Sequence, residues 1–143
     1  MILNSLFFVW LLFFVSIKTH SQSATYIERS PTKIHHVSAS EFYEQIHNKE
    51  KAQVVDIRTF REYTSGHIKG SMLIDFYNPD FVKNIEKAGL SKNEPVFVYC
   101  GSGNRSRHAM RFFKQLGFKE VYNLKYGIIE WVRNGYKIQN LKN

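Results

Sequence analysis

The run Pro95 to Phe113, PVFVYCGSGNRSRHAMRFF, constrains this chain more than any other stretch. Pro95 introduces a short apolar segment, Val96 to Tyr99, whose β-branched and aromatic side chains read as a buried strand. Gly101, Ser102, Gly103 and Asn104 follow, residues that tolerate unusual dihedrals. A helical pattern of Ala109, Met110, Phe112, Phe113 and Leu116 then closes on Gly117. A strand that passes through a glycine-rich loop into a helix leaves Cys100 at the mouth of a ring of backbone N–H groups. Such a ring favours negative charge, so a thiolate there is stabilised and nucleophilic near neutral pH. Arg105 can curl back toward the same point and add a permanent positive charge. The competing reading of a lone cysteine at a strand end is a small buried hydrophobe. The glycines, the arginine and the helix start favour chemistry.

Cys100 is the single cysteine of the 143 residues, which excludes an intramolecular disulfide and a cysteine-based metal cluster. Hydrophobic residues at 43% and charged residues at 22% suit one packed domain. The net charge of +8 attracts anions. The basic residues are scattered among acids rather than gathered into a run with interleaved aromatics, which argues for a small anionic substrate over nucleic acid. His35, His36 and His47 lack the paired carboxylate spacing of a metal site, and no metal or organic cofactor is expected.

Met1 to Ile17 contains an apolar core, Leu6 to Val15, too short for a confident membrane span and suited to an export signal. Residues 1–23 are expected to be a signal peptide or, since no Lys or Arg precedes the apolar run, an uncleaved membrane anchor. An exported, periplasmic or otherwise extracytoplasmic location follows. Residues 24–33 read as a leader, 34–135 as the domain and 136–143 as a C-terminal tail. Within the domain, Ile34 to Val37 is a first strand, and Ser38 to Glu41 has capping-box spacing before a helix whose apolar face carries Phe42, Ile46 and, as a further candidate, Tyr43. A second strand, Val54 to Arg58, ends in charge, and Thr59 to Tyr63 makes one helical turn. A glycine-bounded turn from Gly66 to Gly70 leads to a third strand, Ser71 to Ile74. Pro79 to Ala88 is a helix, Glu120 to Leu124 a fifth strand, and Ile128 to Asn134 a last helix with Trp131 inward. This alternation implies an α/β fold with a parallel sheet and helices on both faces. The carboxyl ends of such strands border the functional crevice, so Asp56 and Arg58 are expected near Cys100. His67 reads either as a base for the thiol or, the favoured reading, as a ring bonded to a backbone carbonyl that fixes its turn.

These residues resemble the rhodanese-like domains. Asp56-Ile57-Arg58, Glu62-Tyr63, Gly66-His67-Ile68-Lys69-Gly70-Ser71, Val98-Tyr99-Cys100, Gly103, Arg105-Ser106, Gly117-Phe118, Gly127 and Trp131 recur in that family's order and spacing. The resemblance implies a five-stranded parallel sheet and a sulfurtransferase in which Cys100 takes sulfane sulfur from a donor such as thiosulfate. The resulting persulfide yields the sulfur to cyanide or another thiol, with a protein thiol as a candidate partner. It further implies that the N–H groups of residues 101 to 105 stabilise the persulfide and that Arg105 orients the loop or an anionic donor. Phosphatases and arsenate reductases of this fold use a longer loop. Only Gly101, Ser102, Gly103 and Asn104 separate Cys100 from Arg105 here, a ring suited to sulfur more than to phosphate. A small cysteine phosphatase and a non-catalytic binding module are the alternatives. Asp56, Arg58, Glu62 and His67 look structural by the same resemblance, with Arg58 expected to pair with a nearby carboxylate, Glu62 being one candidate.

Overall fold

The computed structural model describes residues 31–141; the expected signal, or anchor, and most of the leader lie outside them. Among the described residues, five strands alternate with five helices. In chain order they are β1 (Lys33–Val37), α1 (Ala39–Asn48), β2 (Gln53–Asp56), α2 (Phe60–Thr64), β3 (Met72–Leu73), α3 (Phe81–Lys87), β4 (Val96–Tyr99), α4 (Asn104–Gln115), β5 (Glu120–Leu124) and α5 (Gly127–Arg133). The strands form one parallel sheet in the order β1-β5-β4-β2-β3. The expected α/β architecture is therefore the one observed. The third strand is shorter than its sequence suggested: only Met72 and Leu73 pair, with Val55 and Asp56, because an edge strand has one neighbour to hold it.

Strand β4 sits in the middle, and both faces of the sheet are covered, so Val96 to Tyr99 are all fully buried. Side chains alternate along a strand, so each face takes every second residue. Phe97 and Tyr99 join Phe42, Leu124 and Trp131 under α1 and α5. Val96, Val98 and Cys100 join Ala109, Met110 and Phe113 under α3 and α4. This parity matters for the site, because it turns Cys100 to the face that carries α4 and so beneath the first turn of the helix that follows it.

Helix α1 starts as expected at Ser38, whose hydroxyl accepts from Glu41 N, although the return bond of a full capping box is absent. The tail also returns to the fold. His67 N donates to Gln139 O at 2.9 Å and Gln139 N donates to His67 O at 2.7 Å, seating Ile138 over Gly66.

Candidate active site

The chain leaves β4 after Tyr99, crosses the four residues Cys100 to Gly103 and enters α4. Gly103 caps that helix with φ +86°, a left-handed conformation that side chains resist. The turn points the Gly103 N–H back at Cys100, and it donates to Sγ at 3.2 Å. The Ser106 hydroxyl lies 3.4 Å from Sγ and 3.2 Å from the Gly103 carbonyl, so its single proton serves one acceptor at a time. The amides of Gly101, Ser102, Asn104 and Arg105 have no acceptor among the described residues. Sγ thus accepts from one amide of a loop whose other amides are unpaired, while the residue packs in the hydrocarbon cluster of the α3/α4 face and has no exposure.

Helix α5 holds the loop from the other side. Ile128 N donates to Cys100 O at 2.8 Å and Ile129 N donates to Gly101 O at 3.2 Å, so orphan amides of one helix start satisfy the carbonyls of the loop. This contact needs two bare backbones. A Cβ on Gly103 would lie 1.8 Å from Lys125 O, and one on Gly127 would lie 2.3 Å from Gly101 O.

Arg58 pairs with a nearby carboxylate as expected, but the carboxylate is Asp56 and not the candidate Glu62. The Arg58 Nε and Nη2 donate to both Asp56 oxygens at 2.7 to 3.0 Å, and Nη2 also donates to Gly66 O at 2.6 Å. The physical reason is parity. Residues two apart on a strand end face the same way, and Arg58 N is already bonded to Asp56 Oδ1 at 2.9 Å. Burial opposes the charge of Arg58, but the Asp56 carboxylate more than offsets this and holds the guanidinium ionised. The pair therefore ties the end of β2 to the turn before β3.

Glu62 belongs to Arg105. Thr59 and Glu62 form a complete capping box at the start of α2, which bends the carboxylate back toward the carboxyl edge of the sheet. There Arg105 meets it in a bidentate pair, Nη1 to Oε2 at 2.9 Å and Nη2 to Oε1 at 2.5 Å. The Arg105 guanidinium, with help from Thr59, holds the Glu62 carboxyl down at about 2. The charge of Arg105 acts on Cys100 while being shared with Glu62, and the pair lies across Gly101, 3.2 Å from where a Cβ would stand. Tyr77, which sequence reasoning passed over, stacks on the outer side of the same guanidinium at 5.4 Å. Ser106 was read only as part of a motif, and its position beside Sγ is the feature missed. Helical periodicity from Arg105 would have aimed it at the loop.

His67 takes the structural place. Its Nδ1 lies 3.1 Å from Tyr63 O and its ring stacks on Tyr63 at 3.8 Å. A cavity of about 640 Å³ lined by Tyr43, Trp131 and Tyr136 takes no residue from the Cys100 to Arg105 loop.

Residues 38–134 match the family model for the rhodanese-like domain. The chain belongs to that family. It is 45% identical over 80 residues to the thiosulfate sulfurtransferase GlpE of Pseudomonas paraeruginosa, covering 56% of this chain and 69% of GlpE. With YrkF of Bacillus subtilis it shares 30% identity over 102 residues, 70% of this chain but only 52% of that protein. The crystal structure of a rhodanese-related protein from Thermoplasma volcanium superposes with a TM-score of 0.60 at 28% identity, covering 73% of this chain and 97% of that one. Matching segments also occur in tRNA uridine(34) hydroxylases, so the rhodanese-like domain serves proteins of more than one activity. Relatives named as sulfurtransferases include GlpE and a protein of Allochromatium vinosum, 30% identical over 105 residues.

Proposed function

We propose that the chain transfers sulfane sulfur through a persulfide on Cys100. The observation that carries this reading is Sγ held at 3.2 Å by the Gly103 amide in a loop whose neighbouring amides are unpaired. In the first half-reaction the Cys100 thiolate attacks the outer sulfur of thiosulfate. The bond between that sulfur and the sulfonate breaks, its electron pair leaves with sulfite, and the transferred sulfur becomes the anionic end of a persulfide. In the second, a nucleophile such as cyanide attacks that outer sulfur and Cys100 departs as thiolate, so one hard displacement becomes two easier ones. The open amides of Gly101, Ser102, Asn104 and Arg105 supply donors for the terminal sulfur as charge gathers there. Because Cys100 has no exposure at rest, the surroundings of Sγ have to open for the donor to enter.

The four-residue spacing to Arg105 supports sulfur transfer over phosphate hydrolysis, for which an arginine already shared with Glu62 is also a poor clamp. The test is thiocyanate production from thiosulfate and cyanide, together with the intact mass of the protein after thiosulfate alone. Wild type gains one sulfur atom that cyanide removes. Retained turnover in Cys100→Ser, or Cys100-dependent hydrolysis of an aryl phosphate in its place, refutes the assignment. The export reading of residues 1–23 is part of the same proposal, and the N-terminus of the mature chain tests it.

A further inference from the structure

On the sheet face away from Cys100, two helices have five strands to cover. Helices α1 and α5 lie over Phe42, Phe97, Leu124 and Trp131, and Val54 of β2 is left half-buried at the edge of that cluster. The space above it is the cavity of about 640 Å³, whose walls come from four segments: α1, the start of β2, the turn Ile68 to Gly70, and the end of α5 with the tail. Sites for small organic molecules span about 300 to 1,000 Å³. The volume therefore suits a guest of one or two rings.

The lining says what kind of guest. Tyr43 and Tyr136 stack at 4.5 Å, and Trp131 lies 4.9 Å from Tyr136 and 5.8 Å from Tyr43. Ile46, Val54 and Ile68 add aliphatic surface. The tail side is fixed in place, since Trp131 Nε1 donates to Lys137 O at 3.0 Å and Tyr136 N donates to Trp131 O at 3.2 Å. Aromatic pairs contribute beyond the area they bury, so these walls favour a flat ring. Against hydrocarbon, a nucleobase would leave several of its polar atoms without partners, so the favoured ring is an apolar one. Charge supplies the rest. Lys69 and Lys137 line the cavity, are exposed, and join no ion pair among the described residues. The lining holds no carboxylate, and its one histidine, His47, has Nδ1 2.7 Å from Tyr43 O. Unmatched positive charge beside an apolar hollow favours an anionic group on the ring.

We propose that this cavity is a binding site for a small planar aromatic carboxylate, with the ring against Tyr43, Trp131 and Tyr136 and the carboxylate on Lys69 and Lys137. The site is separate from the sulfur loop. Cys100 packs in the cluster under α3 and α4, whereas Ile68 and Trp131 belong to the cluster under α1 and α5. Binding is reversible and makes or breaks no covalent bond, so it stands whether or not Cys100 carries sulfur.

The experiment titrates the full chain with 2-naphthoate by calorimetry at low salt. Three controls each remove one feature: 2-naphthamide lacks the charge, decanoate lacks the ring, and adenosine monophosphate replaces the apolar ring with a polar one. Naphthoate is expected to saturate a single site, with each control at least about tenfold weaker. Raising salt from about 0.05 to about 0.5 M is expected to weaken naphthoate severalfold and to leave naphthamide unchanged. K69E/K137E, which alters exposed side chains only, is expected to weaken naphthoate at least about tenfold while naphthamide stays within about twofold. A52F, which fills the cavity from its β2 wall, is expected to abolish both, with thermal unfolding showing that the variant is folded. Cys100→Ser is expected to bind as wild type does. Absence of saturation, equal affinity for naphthoate and naphthamide, or binding unchanged in K69E/K137E overturns the proposal. So does loss of binding in Cys100→Ser, since the ring then sits at the loop, and so does sedimentation showing a dimer that A52F dissolves, since a second copy then covers the cavity.

Discussion

Replacing Gly103 with alanine adds one methyl group and tests the geometry on which the loop depends. Two costs add. A residue with a Cβ held near φ +86° loses about 1 to 2 kcal/mol to left-handed strain. The new Cβ also meets Lys125 O at 1.8 Å and Lys125 C at 2.6 Å, backbone atoms that cannot rotate aside. The two backbones must part by about 1 Å in an interior packed like a crystal, where overfilling costs about 1 to 3 kcal/mol. They are held by Lys125 N to Val37 O at 2.9 Å and Ile128 N to Cys100 O at 2.8 Å, so the separation strains the edge strand or unclamps the loop. Gly89 isolates the first cost, since it has φ +71° with nothing within 4 Å of a Cβ. Urea unfolding should place Gly89→Ala about 1 to 2 kcal/mol below wild type and Gly103→Ala about 3 kcal/mol or more below it. At about 4 °C per kcal/mol the Gly103 variant loses about 12 °C in Tm. Its sulfur gain from thiosulfate falls with it, because the displaced turn no longer aims an N–H at Sγ. Equal stabilities for the two variants, or a Gly103→Ala protein with wild-type turnover, would show that the contact with Lys125 does not shape the loop.

Glu62 sets an acid limit on the lid over Gly101. Its carboxyl titrates at about 2 in the folded chain against an ordinary 4.5, so the stabilisation is complete above pH 4.5 and is lost as pH falls toward 2. With the side chain 36% exposed, solvent screening leaves about 1 kcal/mol of it. Glu62→Gln should therefore be less stable by about that amount at pH 7, with a gap that closes toward pH 2; a gap independent of pH would rule out the ion pair as its source. Asp56→Asn leaves the Arg58 guanidinium, only 6% exposed, without its counter-charge and should cost about 3 to 5 kcal/mol. The surface pair Lys51–Glu94, with the lysine 73% exposed, supplies the contrast, and Glu94→Gln should cost under about 1 kcal/mol in the same urea titration.

What the sequence disclosed and what it withheld divide along a physical line. Hydrophobic period and turn chemistry act over neighbouring residues, so the strand Val96 to Tyr99, the helix after the loop and the fifth strand were all legible within a few positions. The side of the sheet on which Cys100 stands also follows from local parity with Val96 and Val98. Partner choice among charges is a different problem. Two arginines and two acids reach the same edge of the sheet, and charge alone allows either pairing. Local cues decide half of it: Asp56 lies two residues before Arg58, and the Thr59-x-x-Glu62 spacing turns the second carboxylate away. Arg105 then completes the set from 43 positions downstream, a meeting that only the assembled sheet determines. The tail is harder still, because the bridge between His67 and Gln139 has no period and no motif. Yet that bridge seats Ile138 against Gly66, the residue whose carbonyl accepts from Arg58. The cysteine and its loop are thus written in one short run, while the ion pair across Gly101 and the bridge of the tail to His67 come from segments that meet only in the folded chain.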